Sequence, residues 1–209
     1  MKYDAIVVAA GKGNRANLGY NKTFFKMPNN KTVLENSCHL FLEDQDCENL
    51  IVVTNKDLFD AVIKNDKIIV VEGGKERKDS VYNGLQKVKN EYVLVHDAAR
   101  PFLHKDALSA IKQKVEETGA AVLAHVAIDG VKVVENGKIV DDIEKSKIYL
   151  SETPQGFKSE LLKKCYDNID YKNYPDEAAL VCSQGYDVYV VNDEHENRKL
   201  TYKEDFIHD

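Results

Sequence analysis

Three cations crowd a glycine turn near the start of the chain, in Ala9-Ala10-Gly11-Lys12-Gly13-Asn14-Arg15-Ala16 and Lys22, seven residues past the arginine. Glycines after a first strand let the backbone bend sharply and approach a phosphate. Lysine and arginine in the same bend supply the charge that an anionic ligand needs. A Walker A loop is excluded, because no GxxxxGK followed by Ser or Thr occurs. Gly11, Gly13 and Ala16 do satisfy G-x-G-x-x-A, which admits an NAD-type oxidoreductase. That fold wants an acidic ribose ligand at the end of the second strand, about 20 residues on. Here the second strand begins near Leu50 and ends at Thr54-Asn55. Three cations around one turn fit a triphosphate better than a two-phosphate bridge. The plain alternative is a strand-to-helix turn with solvated lysines.

Two further groups could do chemistry. Gly73-Gly74 follows a third apolar run and precedes Ser80, which reads as the start of a helix and a candidate N-cap. Asp97 and Arg100 follow a fourth run, at the end of the strand where open α/β sheets bind ligands. The Asp97 carboxylate suits Mg²⁺, or else it caps a turn. His96 has no evident partner and reads as structural.

These residues must be held by the elements between them. Ala5–Ala9, Leu50–Val53, Lys67–Val71, Tyr92–Val95 and Ala120–His125 read as buried strands. Thr32–Leu42, Leu58–Lys64, Ser80–Lys89 and Lys105–Thr118 read as amphipathic helices, the last stopped by Gly119. The alternation predicts an α/β, Rossmann-like, mostly parallel sheet with helices on both faces. After Asp129 the pattern changes. Val131–Val134, Asn136-Gly137 and Lys138–Ile143 read as a hairpin with a type I′ turn, projecting as an arm at about 130–150. Tyr149-Leu150 leads into a Thr153-Pro154-Gln155 loop, followed by helices at about Lys158–Asn168 and after Asp176, a strand at Asp187–Val191, and a last helix opened by a capping box at Thr201.

A chain of 209 residues suits one domain, 1–209, and 43% apolar residues suit a real core. The net charge of -6 disfavours a generic nucleic-acid or membrane-surface binder, so any anionic ligand must be held by local positive charge. The longest apolar run, Ala5 to Ala10, is far too short to span a membrane, and the N-terminus shows no signal-peptide pattern. Cys38, Cys47, Cys165 and Cys182 lack metal or disulfide spacing. The expected compartment is the cytoplasm.

Six blocks in order resemble the 2-C-methyl-D-erythritol 4-phosphate cytidylyltransferase family over nearly the whole length. They are the glycine turn with Lys22; Gly73-Gly74-Lys75-Glu76-Arg77-Lys78-Asp79-Ser80-Val81 with Asn83-Gly84-Leu85; Val95-His96-Asp97-Ala98-Ala99-Arg100-Pro101; Thr153-Pro154-Gln155 with Phe157; Asp176-Glu177-Ala178; and Asn197-Arg198-Lys199-Leu200-Thr201. The resemblance implies joining a phosphorylated alcohol to CTP, with Mg²⁺, and release of pyrophosphate. It implies that Arg15 and Lys22 stabilise the transition state, and that Lys145 and Lys199 contact the acceptor phosphate. Ala9, Ala10, Gly11, Gly13, Gly74, Ser80, Asp97, Ala98 and Arg100 would hold the nucleotide, with Asp97 also a metal ligand. It further implies a homodimer formed through the arm, with Lys145 completing the neighbouring site.

Three departures fall on the acceptor side, and a fourth, milder one precedes Lys22. Lys145 stands where the family usually has arginine, Gly130 and Pro175 where it usually has threonine, and Asn21 where it usually has proline before the loop lysine. A lysine keeps the charge but loses the bidentate fork. The acceptor expected first is 2-C-methyl-D-erythritol 4-phosphate. The alternative is another polyol phosphate such as ribitol 5-phosphate, against which Ala98-Ala99 counts. A non-catalytic nucleotide-binding relative is the third reading.

Overall fold

A computed structural model describes residues 1–11, 13–16, 18–168 and 173–206. Strands β1 (Tyr3–Val8), β2 (Cys47–Thr54), β3 (Ile68–Glu72), β4 (Tyr92–Asp97), β5 (Ala120–Val126), β8 (Tyr149–Lys158) and β9 (Tyr189–Asn192) form one sheet in the order β3-β2-β1-β4-β8-β5-β9. β1 to β4 pair in parallel, and β9 runs parallel to β5. β8 is antiparallel to both β4 and β5. The architecture is thus α/β with a mostly parallel sheet.

Side chains alternate across the strands. Ala5 and Val7 of β1 pack with Leu34 and Phe41 of α1 (Val33–Glu43) and Ile111 and Val115 of α3 (Lys105–Thr118). Ile6 faces the other side, with Val81 and Leu85 of α2 (Arg77–Leu85), Leu162 of α4 (Ser159–Asn168) and Leu180 of α5 (Glu177–Ser183). Helices therefore cover both faces. Thr32 and Glu35 form a capping box on α1, and Gly119, with φ 86°, stops α3. A Cβ on Gly84 would stand 2.9 Å from Ile6 Cγ2 and Val53 Cγ2, so this glycine lets α2 lie close on the sheet.

The arm is the two-stranded pair β6 (Val131–Glu135) and β7 (Lys138–Ile143), with positive φ at Asn136 (51°) and Gly137 (77°), as a type I′ turn requires. Its Val134, Ile139 and Val140 are exposed.

Four expectations need correction. The stretch Thr153-Pro154-Gln155 is not a loop but lies within β8. Pro154 has no N–H to donate, and it falls where the β5–β8 register shifts between Val122 and Ala124, a place a strand tolerates proline. Leu58–Lys64 is not an α-helix. A six-residue 3-10 turn, Lys56–Ala61, stands there with no buried residue, and without a buried face so short a helix lacks its main support. Ser80 is not an N-cap: α2 begins at Arg77, where Asp79 Oδ2 accepts the Glu76 N–H at 3.0 Å. Thr201 opens no capping box with Glu204. Instead Asp205 Oδ2 accepts the N–H groups of Thr201 and Tyr202 ahead of a 3-10 turn, Lys203–Phe206.

Candidate active site

The carboxyl ends of β1 and β4 lie side by side, with the Ala98 N–H donating to Val8 O at 3.1 Å. Above them opens a cleft of about 570 Å³. Ala9, Ala10, Gly11 and Gly13 line one wall, Gly74 and Ser80 another, and Asp97 the floor. Arg15, Lys22, Lys75, Arg77 and Lys199 bring five cations to it, against the carboxylates of Glu76 and Asp97. This is the local positive charge that an acidic chain needs for a polyanion. Lys12, the third cation expected at the turn, lies outside the described residues.

Gly13 adopts φ 67°, a conformation that favours glycine. The Asn21 side chain fixes the turn: its Nδ2 donates to Ala9 O at 3.1 Å, and its Oδ1 accepts the Thr23 N–H at 3.1 Å. Lys22 Nζ donates to Leu200 O at 2.6 Å. Burial lowers the Lys22 ammonium below the usual lysine range, and the charges of Lys199 and Arg15 lower it further. Arg15 is exposed, and among the described residues it makes no ion pair.

The second glycine pair is set by close packing. A Cβ on Gly73 would stand 2.3 Å from Ala10 Cβ, and one on Gly74 would stand 2.2 Å from Asp79 Cβ. Ser80 Oγ accepts the Gly74 N–H at 3.0 Å and donates to Glu76 O at 3.2 Å. Its hydroxyl therefore holds the loop over the cleft.

Asp97 is the hub. Its Oδ1 accepts from Arg77 Nε at 2.8 Å and its Oδ2 from Lys199 Nζ at 2.5 Å. Burial alone would raise its pKa, but the charges of Arg77 and Lys199 outweigh that and hold the carboxyl well below the usual range. Arg77 Nη1 also reaches both oxygens of buried Glu177 at 2.9 Å. Arg77 and Glu177 belong to the quoted motifs, but sequence reasoning gave them no role. The base stands in the second block and the acid in the fifth, with no spacing to pair them.

His96 is fully buried, and burial pulls its pKa down to about 4. Nε2 donates to Arg100 O at 3.0 Å, leaving Nδ1 to accept from the Thr153 hydroxyl at 3.1 Å. Thr153 Oγ1 in turn accepts the Asp97 N–H at 3.0 Å. The neutral imidazole thus braces the strand end that carries Asp97.

A smaller pocket of about 160 Å³ adjoins the cleft and shares Arg77, Asp97 and Lys199 with it. Arg100, Ser151, Glu152, Thr153, Gln155, Pro175 and Asp176 complete it. Gln155 Nε2 donates to Asp176 Oδ2 at 3.1 Å and Gln155 Oε1 accepts the Ala178 N–H at 2.9 Å, which joins two of the sequence blocks. Asn197 Nδ2 donates to Thr153 O at 2.9 Å, docking the last block so that Lys199 reaches Asp97.

Three expected site residues do not line the cleft. Arg100 lines the smaller pocket rather than the cleft, because its guanidinium donates to Asn197 O and Ser151 O. Ala98 points into the core with Ser37, whose Oγ donates to Ala98 O at 2.8 Å, and Ala99 lines the cleft instead. Lys145 sits on the exposed arm, where Nζ donates to Ile128 O at 3.3 Å, and it lines neither pocket. Of the three altered acceptor positions, Pro175 alone lines the smaller pocket.

Asp97 can also be tested as a cation ligand. Each oxygen already holds one donor, which leaves further lone pairs on a single carboxylate. One carboxylate combined with substrate phosphates is a usual Mg²⁺ donor set, so the residues fit.

The family model described as 2-C-methyl-D-erythritol 4-phosphate cytidylyltransferase matches residues 3–209. A protein of that name from Petrotoga mobilis is 38% identical, over 97% of this chain and 94% of its own. One from Bacillus licheniformis is 33% identical, over 99% and 94%. The crystal structure of the Francisella tularensis protein of that name superposes with a TM-score of 0.82 at 31% identity, covering 97% of this chain and 96% of the other.

Proposed function

This chain belongs to the 2-C-methyl-D-erythritol 4-phosphate cytidylyltransferase family, and we propose that it carries out the named reaction at the cleft just described. It transfers the cytidylyl group of CTP to 2-C-methyl-D-erythritol 4-phosphate and releases pyrophosphate, a step in isoprenoid precursor synthesis. The observation that carries the reading is the five-cation cleft joined to a second pocket through Asp97 and Lys199.

An oxygen of the acceptor phosphate attacks the α-phosphorus of CTP, and the bond to the bridging oxygen of pyrophosphate breaks. A phosphate monoester is largely dianionic at neutral pH, so no side chain has to take its proton. The protein must align two polyanions and neutralise developing charge. Arg15 and Lys22 face the α-phosphate from the glycine turn, while Gly11 and Gly13 admit the triphosphate to the backbone. Gly74 and Ser80 hold the nucleoside. Asp97 would hold Mg²⁺, which when bound supplies further charge neutralisation on the triphosphate. Lys199 lies between the two pockets, suited to the acceptor phosphate.

Residues 1–209 act as one nucleotidyltransferase domain, and two copies pair through the arm. The exposed Val134, Ile139 and Val140 support this, since a two-stranded hairpin alone is marginal in water. Lys145 would then serve the neighbouring site. Among the described residues no helix is long and apolar enough to cross a membrane, and the proposed compartment is the cytoplasm. Family membership displaces the dinucleotide reading of Gly11, Gly13 and Ala16.

The test is pyrophosphate release from CTP with each acceptor in turn. Turnover with 2-C-methyl-D-erythritol 4-phosphate is expected. Turnover with ribitol 5-phosphate alone would overturn the acceptor assignment, and no turnover with either would favour a non-catalytic relative.

A further inference from the structure

Two histidines and an aspartate meet on the surface, away from both pockets. His104 caps the start of α3, Asp106 lies in its first turn, and His195 comes from the loop after β9. One donor atom from each lies within 4.8 Å of the others. Asp106 Oδ2 is 3.5 Å from His104 Nδ1 and 3.9 Å from His195 Nε2. The two imidazoles stack, with centroids 3.8 Å apart and planes 11° from parallel.

The tautomers suit a cation. The Asp106 N–H donates to His104 Nδ1 at 3.3 Å, so that nitrogen is unprotonated, and an ion bound there takes the place of this capping hydrogen bond. Behind His195 stands Asp193, whose side chain is fully buried. Its Oδ1 faces His195 Nδ1 at 3.3 Å, and its Oδ2 has no hydrogen-bond partner. A carboxylate behind the far ring nitrogen orients a metal-binding imidazole. It also leaves Nε2 free to face Asp106. An unpartnered buried carboxylate gains from positive charge placed across that ring.

We infer that His104, Asp106 and His195 bind a divalent transition ion of the zinc class, with Asp193 as the positioning residue behind His195. Two imidazoles and one carboxylate make a donor set for such an ion, with solvent completing the shell. Donors about 3.4 Å apart are needed for bonds of roughly 2.1 Å in a tetrahedron. Closure therefore asks for a shift of well under an ångström at Asp106 and for one imidazole to rotate out of the stack, because the in-plane lone pairs of parallel rings do not converge on one ion. His104 and Asp106 are exposed, and His104 turns by giving up its cap on α3. The bound ion would clamp the loop that runs on to Asn197 and Lys199 against the start of α3.

The experiment titrates Co²⁺ into the full chain and follows its visible absorption bands. One equivalent is expected, with no thiolate charge-transfer band, since Cys182 is the exposed cysteine and takes no part. His104→Ser keeps a capping hydroxyl on α3 and should weaken binding more than tenfold, as should His195→Gln. Asp193→Asn should weaken it about 10- to 100-fold. Binding that survives both histidine substitutions, a thiolate band, or no cobalt spectrum at all would overturn the site. Circular dichroism of each variant separates lost ligation from lost folding.

Discussion

Lys199 Nζ sits 2.5 Å from Asp97 Oδ2, joining residues 102 positions apart in the chain. The pair lies on the boundary between the cleft and the smaller pocket, so the charge of Lys199 is shared between the floor of one and the mouth of the other. Arg77 completes the arrangement from the opposite side, and its loss gives the first prediction.

Arg77→Met leaves the carboxylates of Glu177 and Asp97 without their common partner, and their side chains are only 1% and 10% exposed. Removing one member of a buried ion pair costs about 3–5 kcal/mol. Urea denaturation should show a loss of that size. Adding Glu177→Gln to Arg77→Met should restore part of it, since it removes one of the stranded charges. A double variant no more stable than the single one would show that the charges are not the cause.

Acid should weaken the fold through His96. Its folded value of about 4 lies below the unfolded value of about 6.5. Between those values the unfolded chain binds more protons, so stability falls as pH drops through this window. The expected loss from pH 7 to pH 5 is about 2 kcal/mol. His96→Gln should flatten this dependence in denaturation experiments at the two pH values. A slope unchanged by the substitution would place its origin elsewhere.

Arg15→Ala should slow turnover far more than it weakens CTP binding. Preorganised charge at the reacting phosphate contributes on the order of 10²–10³ in rate. Arg15 is exposed and unpaired among the described residues, so melting temperature should stay near that of the parent. Unchanged kcat would remove the assigned role.

Two glycines separate ligand access from packing. A Cβ on Gly11 meets nothing within 4 Å, so Gly11→Ala should keep stability within about 0.5 kcal/mol, and on the proposed placement of the triphosphate it should weaken CTP binding. A Cβ on Gly74 meets Asp79 Cβ at 2.2 Å, so Gly74→Ala must displace the loop. A displacement of about 1 Å can lower kcat/KM by roughly 10²-fold. Calorimetry with CTP would distinguish the two. Full CTP affinity in Gly11→Ala would place the triphosphate away from the turn.

The parts legible in the sequence were those written locally. The apolar runs of β1 to β5 announce a buried parallel sheet, and the glycines and cations after β1 announce an anion site. Asn136-Gly137 announces its turn. What depends on distant partners was not legible. β8 has no apolar run, because buried Glu152, Thr153 and Gln155 turn polar groups toward His125, His96 and Asp176. It therefore reads as a loop around Pro154. The Arg77–Glu177 contact spans 100 residues and leaves no periodic trace. Arg100 carries a charge that suits either pocket, and only its bonds to Asn197 O and Ser151 O decide between them.

The position of β8 bears on how the molecule is built during synthesis. β4 and β5 never touch as neighbours, since the strand filling the gap between them is made later than both. Until Tyr149–Lys158 is made, β4 and β5 lack the strand that pairs with both, and unpaired strand edges invite association with other chains. Assembly of the right half of the sheet waits for residues 149–158, and with it waits the seat for Asn197 and the delivery of Lys199 to Asp97.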